Sequence, residues 1–208
     1  MIKDVFSRRG AKQLGGLAVL FTGLAAPSAM AAQNIAPTMS TATCSAPAFS
    51  QPFASLGDAN YYTLAPGQSV GNFDGSGWML SGGASITTSV LAAGRAGSVL
   101  DLPSGSQAVS PPICVTSDYP SARTQIRDVV GGEGVQFYVS YDATKSWVKP
   151  QNTGQIHSQG NQWSVSNPIN LHPPKSSGWQ IVRFTLVPGG KTSDFQVSDF
   201  WIDPRMHV

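Results

Sequence analysis

From Trp78 to Asp203 no stretch has the ten or so residues of 3.6-residue apolar periodicity that a helix needs. The chain offers instead a succession of short runs rich in Val, Ile, Phe, Tyr, Trp and Thr, punctuated by Gly, Pro, Ser and Asn. The runs are WMLSG from Trp78, ASITTSVLA from Ala84, GSVLDL from Gly97, QAVS from Gln107, ICVT from Ile113, ARTQIRDVV from Ala122, GVQFYVSYD from Gly134, GQIHSQ from Gly154, QWSVSN from Gln162, WQIVRFTLV from Trp179 and DFQVSDFWID from Asp194. Short strands bounded by turn residues predict an all-β sandwich of about 8–11 antiparallel strands. Residues 44–208 are enough for one domain with a full core, and no internal repeat divides them.

Alternation within three runs separates two faces. In GVQFYVSYD, Val135, Phe137, Val139 and Tyr141 oppose Gln136, Tyr138 and Ser140. In ARTQIRDVV, Arg123, Gln125 and Arg127 oppose Thr124, Ile126 and Val130. In WQIVRFTLV, Trp179, Ile181, Arg183 and Thr185 oppose Val182, Phe184 and Leu186. If the three strands are neighbours, Arg123, Gln125, Arg127, Gln136, Tyr138, Trp179 and Arg183 line one concave surface. Aromatic rings that stack on sugar faces, beside planar polar groups that bond to hydroxyls, suit a shallow glycan site. Trp147 and Trp163 sit in loop-rich surroundings, where they serve either ligand binding or the pinning of a loop to the core.

The first residues read differently. Lys3, Arg8, Arg9 and Lys12 precede the apolar LGGLAVLFTGLAA (Leu14 to Ala26), and Ala29-Met30-Ala31 is a small-x-small cleavage pattern. Residues 1–31 are therefore expected to be a cleaved signal peptide, too short in its apolar part to span a bilayer. Arg8-Arg9 hints at twin-arginine export, although Gly10-Ala11-Lys12 matches that signal poorly. Residues 32–43, small and polar, read as a flexible lead-in. The whole chain is net +2, but the leader carries four basic residues and one acidic one, which leaves the mature part at −1. Nothing basic remains to bind nucleic acid. Export, periplasmic or extracellular, implies that Cys44 and Cys114 pair as a disulfide, closing a loop of about 70 residues.

Catalytic patterns are thin. Beyond the leader the one glutamate is Glu133, in the turn-like GGEG, and the nine aspartates offer no recognisable pair. His157, His172 and His207 are scattered, GxSxG is absent, and Ser146 to Lys149 fits SxxK without its companion motifs. A non-enzymatic role is expected.

VGNFDGSGWMLSGGASI (Val70 to Ile86) resembles the opening strand-turn-strand of galactose-binding-like jelly rolls, the fold of many carbohydrate-binding modules. TSDFQVSDFWIDP (Thr192 to Pro204) resembles their closing strand. CSAPAFSQPF, YYTLAPGQSV, SGSQAVSPPICV, DYPSARTQIR and FWIDPR are similar to a family of exported bacterial proteins of unknown function, over nearly the whole mature chain. The resemblance implies a jelly-roll sandwich and, where first and last strands meet, a structural calcium ion held by Asp74 and Asp199 with backbone oxygens. The competing reading is that Asp199 serves a β-bulge, because the apolar phase shifts between Val197 and Phe200. The expected function is a secreted, non-catalytic module for a polysaccharide or cell-surface glycan. The alternative is an extracellular structural or protein-interaction protein, with edge strands as a route to assembly. Ligand and oligomeric state stay open at this level.

Overall fold

The computed structural model describes residues 39–118, 121–143, 146–147, 149–175 and 178–203. The expected leader, residues 32–38, Pro204 and His207 lie outside the described residues, as do the side chains of Ser146 and Trp147. In chain order the strands are β1 (Thr63–Leu64), β2 (Gln68–Ser69), β3 (Asn72–Phe73), β4 (Met79–Ser81), β5 (Ser85–Val90), β6 (Ala96–Pro103), β7 (Gln107–Val109), β8 (Ile113–Val115), β9 (Ser121–Val130), β10 (Val135–Ala143), β11 (Ser146–Trp147), β12 (Gln151–Ile156), β13 (Ser164–Val165), β14 (Ile169–Asn170), β15 (Gln180–Pro188) and β16 (Asp194–Asp203). All eleven expected runs contain a strand; β1, β2, β3, β11 and β14 are pairs of residues, too short for alternation to reveal.

The strands form two sheets of a β-sandwich. The first has the order β13-β9-β16-β6-β3-β2, with β1 on β16, β14 on β9 and β5 on β6. The second has the order β11-β10-β15-β7-β4, with β12 on β10 and β8 on β15. The short β3 runs parallel to β6, whereas the long central pairs β16–β9 and β10–β15 are antiparallel. Thr63 and Leu64 of β1 pair with Ile202 and Trp201 of β16, whereas β3, the strand of the expected opening motif, pairs with β2 and β6 and is separated from β16 by β6.

Side chains from the inner faces of both sheets fill one core. At its centre Phe137 and Phe184 of the second sheet pack with Phe200 of the first, with ring centroids 5.3, 5.7 and 5.5 Å apart. Each such ring contributes about 1.5–3 kcal/mol by leaving water. The core faces expected for β10 and β15 are observed, as are Thr124 and Ile126 on β9. Val130 is a correction: it is 49% exposed. Where β9 pairs with β16, Asp194 faces Val130 but Phe195 faces Asp128, so Val129 is an extra residue that flips the phase beyond it.

Cys44 and Cys114 form the expected disulfide, with Cα atoms 5.7 Å apart. It ties the segment leading into residues 50–62 to β8. Crossing that span of 70 residues, the link stabilises by about 4 kcal/mol in the chain-entropy account. Among the described residues no helix is long and apolar enough to cross a membrane.

Candidate functional site

The seven residues expected to share a surface do not. Arg123, Gln125 and Arg127 project from β9 in the first sheet, whereas Gln136, Tyr138, Trp179 and Arg183 belong to β10 and β15 or their approach in the second. The two polar faces lie on opposite outer sides of the sandwich, because the inner side of each sheet is taken by the core.

On the second sheet's outer side, Gln136 accepts a hydrogen bond from Asn152 Nδ2 at 2.8 Å, across the β10–β12 pair. Tyr138 is half-buried, and Trp179 is packed against the core. Arg183 is only 4% exposed. Burial holds its guanidinium below the usual range, opposed by the charge of Asp142. Gln136, Trp179 and Arg183 are thus engaged by their own sheet and core.

On the first sheet's outer side, a second layer of chain covers β9 and β16. Phe53, Tyr62 and Trp201 make a small cluster of their own. Phe53 meets Tyr62 edge-on with centroids 4.9 Å apart and Trp201 at 6.4 Å. Ser50 and Tyr62 pair as an isolated bridge that closes the 50–62 segment on itself. Between this segment and the start of β13 lies a cleft of about 520 Å³. One wall is Pro52, Phe53, Ser55 and Leu56; the other is Trp163, Ser164 and Val165. Val70 and Ala92 close an end, and Gln125, Asp199 and Trp201 form the floor. A shallower depression of about 340 Å³, with Phe49 and Leu64 in its lining, shares Ser50, Val70 and Trp201 with the cleft and so prolongs it.

The two arginines of β9 hold the walls. Arg123 stacks 5.0 Å from the Phe53 ring centre, donates from Nε to the Ser166 carbonyl at 3.1 Å, and forms an ion pair with Asp58 at 2.6 Å. Asp58 also accepts from the Tyr62 hydroxyl at 2.6 Å and the Asn60 N–H at 3.1 Å. Burial works against the ionised Asp58, but these donors together with Arg123 outweigh it and lower its pKa. At the other wall, Arg127 lies 5.2 Å from the Trp163 ring centre and donates to Gln196 Oε1 at 3.0 and 2.7 Å and to Ser89 Oγ at 2.8 Å. Gln196 in turn donates to Asp101 at 2.8 Å. Trp163 donates its indole N–H to the Val90 carbonyl at 2.7 Å. Both guanidinium groups are thus engaged as supports, and Gln125, between them in the alternation, is left to the cleft floor.

Asp199 owes its place to the bulge. In the β16–β9 ladder Ser198 faces Gln125 and Trp201 faces Arg123, so Asp199 and Phe200 together oppose Thr124. That extra residue restores Phe200 and Ile202 to the core after Phe195 and Val197. Asp199 takes up the strain with φ +49°, a left-handed value that Asp tolerates better than most residues. The bulge is mended from β2: Gln68 accepts from the Phe200 N–H at 2.9 Å and donates to its carbonyl at 3.1 Å. Asp199 Oδ1 accepts from the Gly71 N–H at 2.6 Å, joining the turn between β2 and β3 to the last strand. Its Oδ2 faces Gln125 Nε2 at 3.5 Å, the outer limit of a hydrogen bond.

Asp74 and Asp199 do not fit a shared calcium cradle. Asp74 is exposed and spends Oδ1 on the Ser76 N–H at 2.6 Å, a turn bond that lowers its pKa. Asp199 spends Oδ1 on the Gly71 N–H, and the donor Nε2 of Gln125 faces its Oδ2 at 3.5 Å. Among the described residues no three His, Cys, Asp or Glu side chains gather closely enough to hold a metal. Missing from the sequence-based site were Phe53, Leu56 and Val70; Trp163 was singled out there and does line the cleft.

No family model matches this chain, and no curated protein matches it. Among solved structures it is similar to the CBM22-1 xylan-binding domain of Paenibacillus barcinonensis Xyn10C, at 12% identity and a TM-score of 0.42 over 62% of this chain and 87% of that one. It is also similar to the CBM22-1–GH10 modules of Clostridium thermocellum Xyn10B complexed with xylohexaose, at 14% identity and 0.48, over 63% and 26%. A third, a xylan-binding domain from CBM 22, stands at 17% identity and 0.47, over 73% and 99%.

Proposed function

We propose that this protein is a secreted, non-catalytic module that binds a carbohydrate chain in the cleft over β9 and β16. The observation that carries the reading is the preorganised cleft itself: a partly exposed Trp163 backed by Arg127 in one wall, a facing segment anchored by the buried Phe53 under Arg123, and Gln125 and Asp199 in the floor. With Arg127 on one face of the Trp163 indole, the opposite face serves a sugar ring, whose C–H surface stacks on aromatics while its hydroxyls meet the floor. Walls fixed before the ligand arrives lower the ordering cost of binding. The adjoining depression favours several linked units over a single terminal sugar.

The test is affinity electrophoresis of the folded protein in gels containing β-glucan, xylan or mannan. At least one of them should retard the wild type, and Trp163→Ala should lose about tenfold or more in affinity for it while keeping a cooperative melt. Migration unaffected by all three polysaccharides sinks the reading. A second reading, a protein partner, is favoured by Leu56 and Val70, which stand 62% and 64% exposed on the rim. Concentration-dependent self-association abolished by Leu56→Ser, with no response to sugar, would support it.

A further inference from the structure

The cleft carries a statement about charge. Among the described residues that line it, Asp199 is the one ionisable side chain. The two arginines beneath the walls are committed to Asp58 and to Gln196 with Ser89, and are not lining residues. Arg95 acts on Asp199 electrostatically, but it is exposed and outside the lining.

Asp199 is also an unusual choice for its position. A glycine would adopt φ +49° without strain, and only His172 shares such a conformation among the described non-glycine residues. Backbone strain kept at a cleft floor points to a use for the side chain. One use is structural, the bond from Gly71 to Oδ1. Ser198 beside Asp199 also favours the carboxylate, and Oδ2, whose contact to Gln125 is a long 3.5 Å, remains an acceptor able to take a shorter bond from a hydroxyl, while the Gln125 amide can both donate and accept. Burial of Asp199 to 5% exposure makes any second negative charge brought beside it costly, since little water remains to screen the pair.

Resting on the carbohydrate reading above, we infer that Asp199 and Gln125 are the specificity-determining pair of the cleft, and that Asp199 restricts it to glycans without negative charge. Hydroxyls of an uncharged sugar satisfy both side chains. A uronate brings a carboxylate against a carboxylate.

The experiment compares the polysaccharides of the neutral panel with polygalacturonate, near neutral pH and at about 0.1 M salt, where charges held within a cleft escape most screening. Wild-type protein should favour a neutral polysaccharide by about tenfold or more. Asp199→Asn, whose side chain keeps an acceptor for Gly71 and tolerates the same backbone, should shrink that preference by about tenfold. Gln125→Ala should lower affinity for the neutral polysaccharide by about tenfold with the melt unchanged. Equal wild-type retention by both classes overturns the inference, as does an unaltered preference in Asp199→Asn or unaltered neutral binding in Gln125→Ala. Retention by neither class overturns the carbohydrate reading itself and this inference with it.

Discussion

The two outer faces of the sandwich start from the same material. β9 offers Arg123, Gln125 and Arg127 on alternate positions; β10 and β15 offer Gln136, Tyr138 and Arg183. On the second sheet these groups are absorbed by their own sheet: Gln136 bonds across to β12, and Arg183 is buried. On the first sheet a further layer of chain, residues 50–62 and the start of β13, converts the same kind of face into a walled cleft. The difference teaches that a polar strand face becomes a site through what is laid over it. Here the overlay is held by a disulfide at its base, an ion pair at its middle and an aromatic cluster beneath.

Removing the staple should break that asymmetry most severely. Cys44→Ser with Cys114→Ser is expected to cost about 4 kcal/mol, a fall of roughly 8–16 °C in Tm for a domain of this size. The cleft face should suffer first, because the tether leads directly into residues 50–62. Hydrogen exchange should therefore rise at Ser50 and Tyr62, which bond to each other through their backbones, before it rises across the β10–β15 ladder. Uniform loss of protection on both sheets would show that the overlay is not a separate unit.

The arginines sharpen the comparison on a smaller scale. Arg123→Ala leaves Asp58 without its partner and Phe53 without its cation, so about 2–3 kcal/mol of stability should be lost along with glycan retention. Arg127→Ala should do the same through Gln196, Ser89 and Trp163, at about 1–3 kcal/mol. Tyr138→Ala, on the other face, should leave retention where it was. Loss of retention in Tyr138→Ala would move the site to the second sheet.

How much of this could be read from residues alone divides along a physical line. Alternation exposed the core faces of β9, β10 and β15, since a strand's period is local. The phase slip from Val197 to Phe200 marked the bulge at Asp199, and two cysteines in a chain read as exported marked the disulfide. Strand order was not legible: nothing in ARTQIRDVV says that it pairs with DFQVSDFWID in one sheet while GVQFYVSYD pairs with WQIVRFTLV in the other. Nor was the wall at Phe53 and Leu56, because a segment that packs through one buried ring and a 3-10 turn, Ala54–Leu56, has no period to detect. The cleft belongs to that non-local part.

The smallest expected effect tests the two carboxylates of the covered face against each other. Asp58 has its pKa lowered below the ordinary 3.8 when folded, because its donors outweigh the opposing effect of burial. Its stabilising contribution is present above 3.8 and fades as pH falls through the lower folded value. Asp199 has its pKa raised, first by burial, against the Gly71 N–H, Ser198 and Arg95, which pull the other way. Its sign is opposite: the folded state is favoured below 3.8, and that advantage is lost as pH rises through the raised folded value. Asp194, raised by burial and by Asp101 and Asp128, adds to the second trend from the far end of β16. Urea midpoints measured between about pH 2 and about pH 7 should therefore show Asp58→Asn flattening the acid limb and Asp199→Asn reducing the decline at higher pH. Because Asp194 remains, Asp199→Asn should reduce that decline without abolishing it. Identical profiles for Asp199→Asn and the wild type would mean that the floor carboxylate is as well solvated folded as unfolded, and the cleft would lose the low-dielectric setting on which its charge selectivity depends.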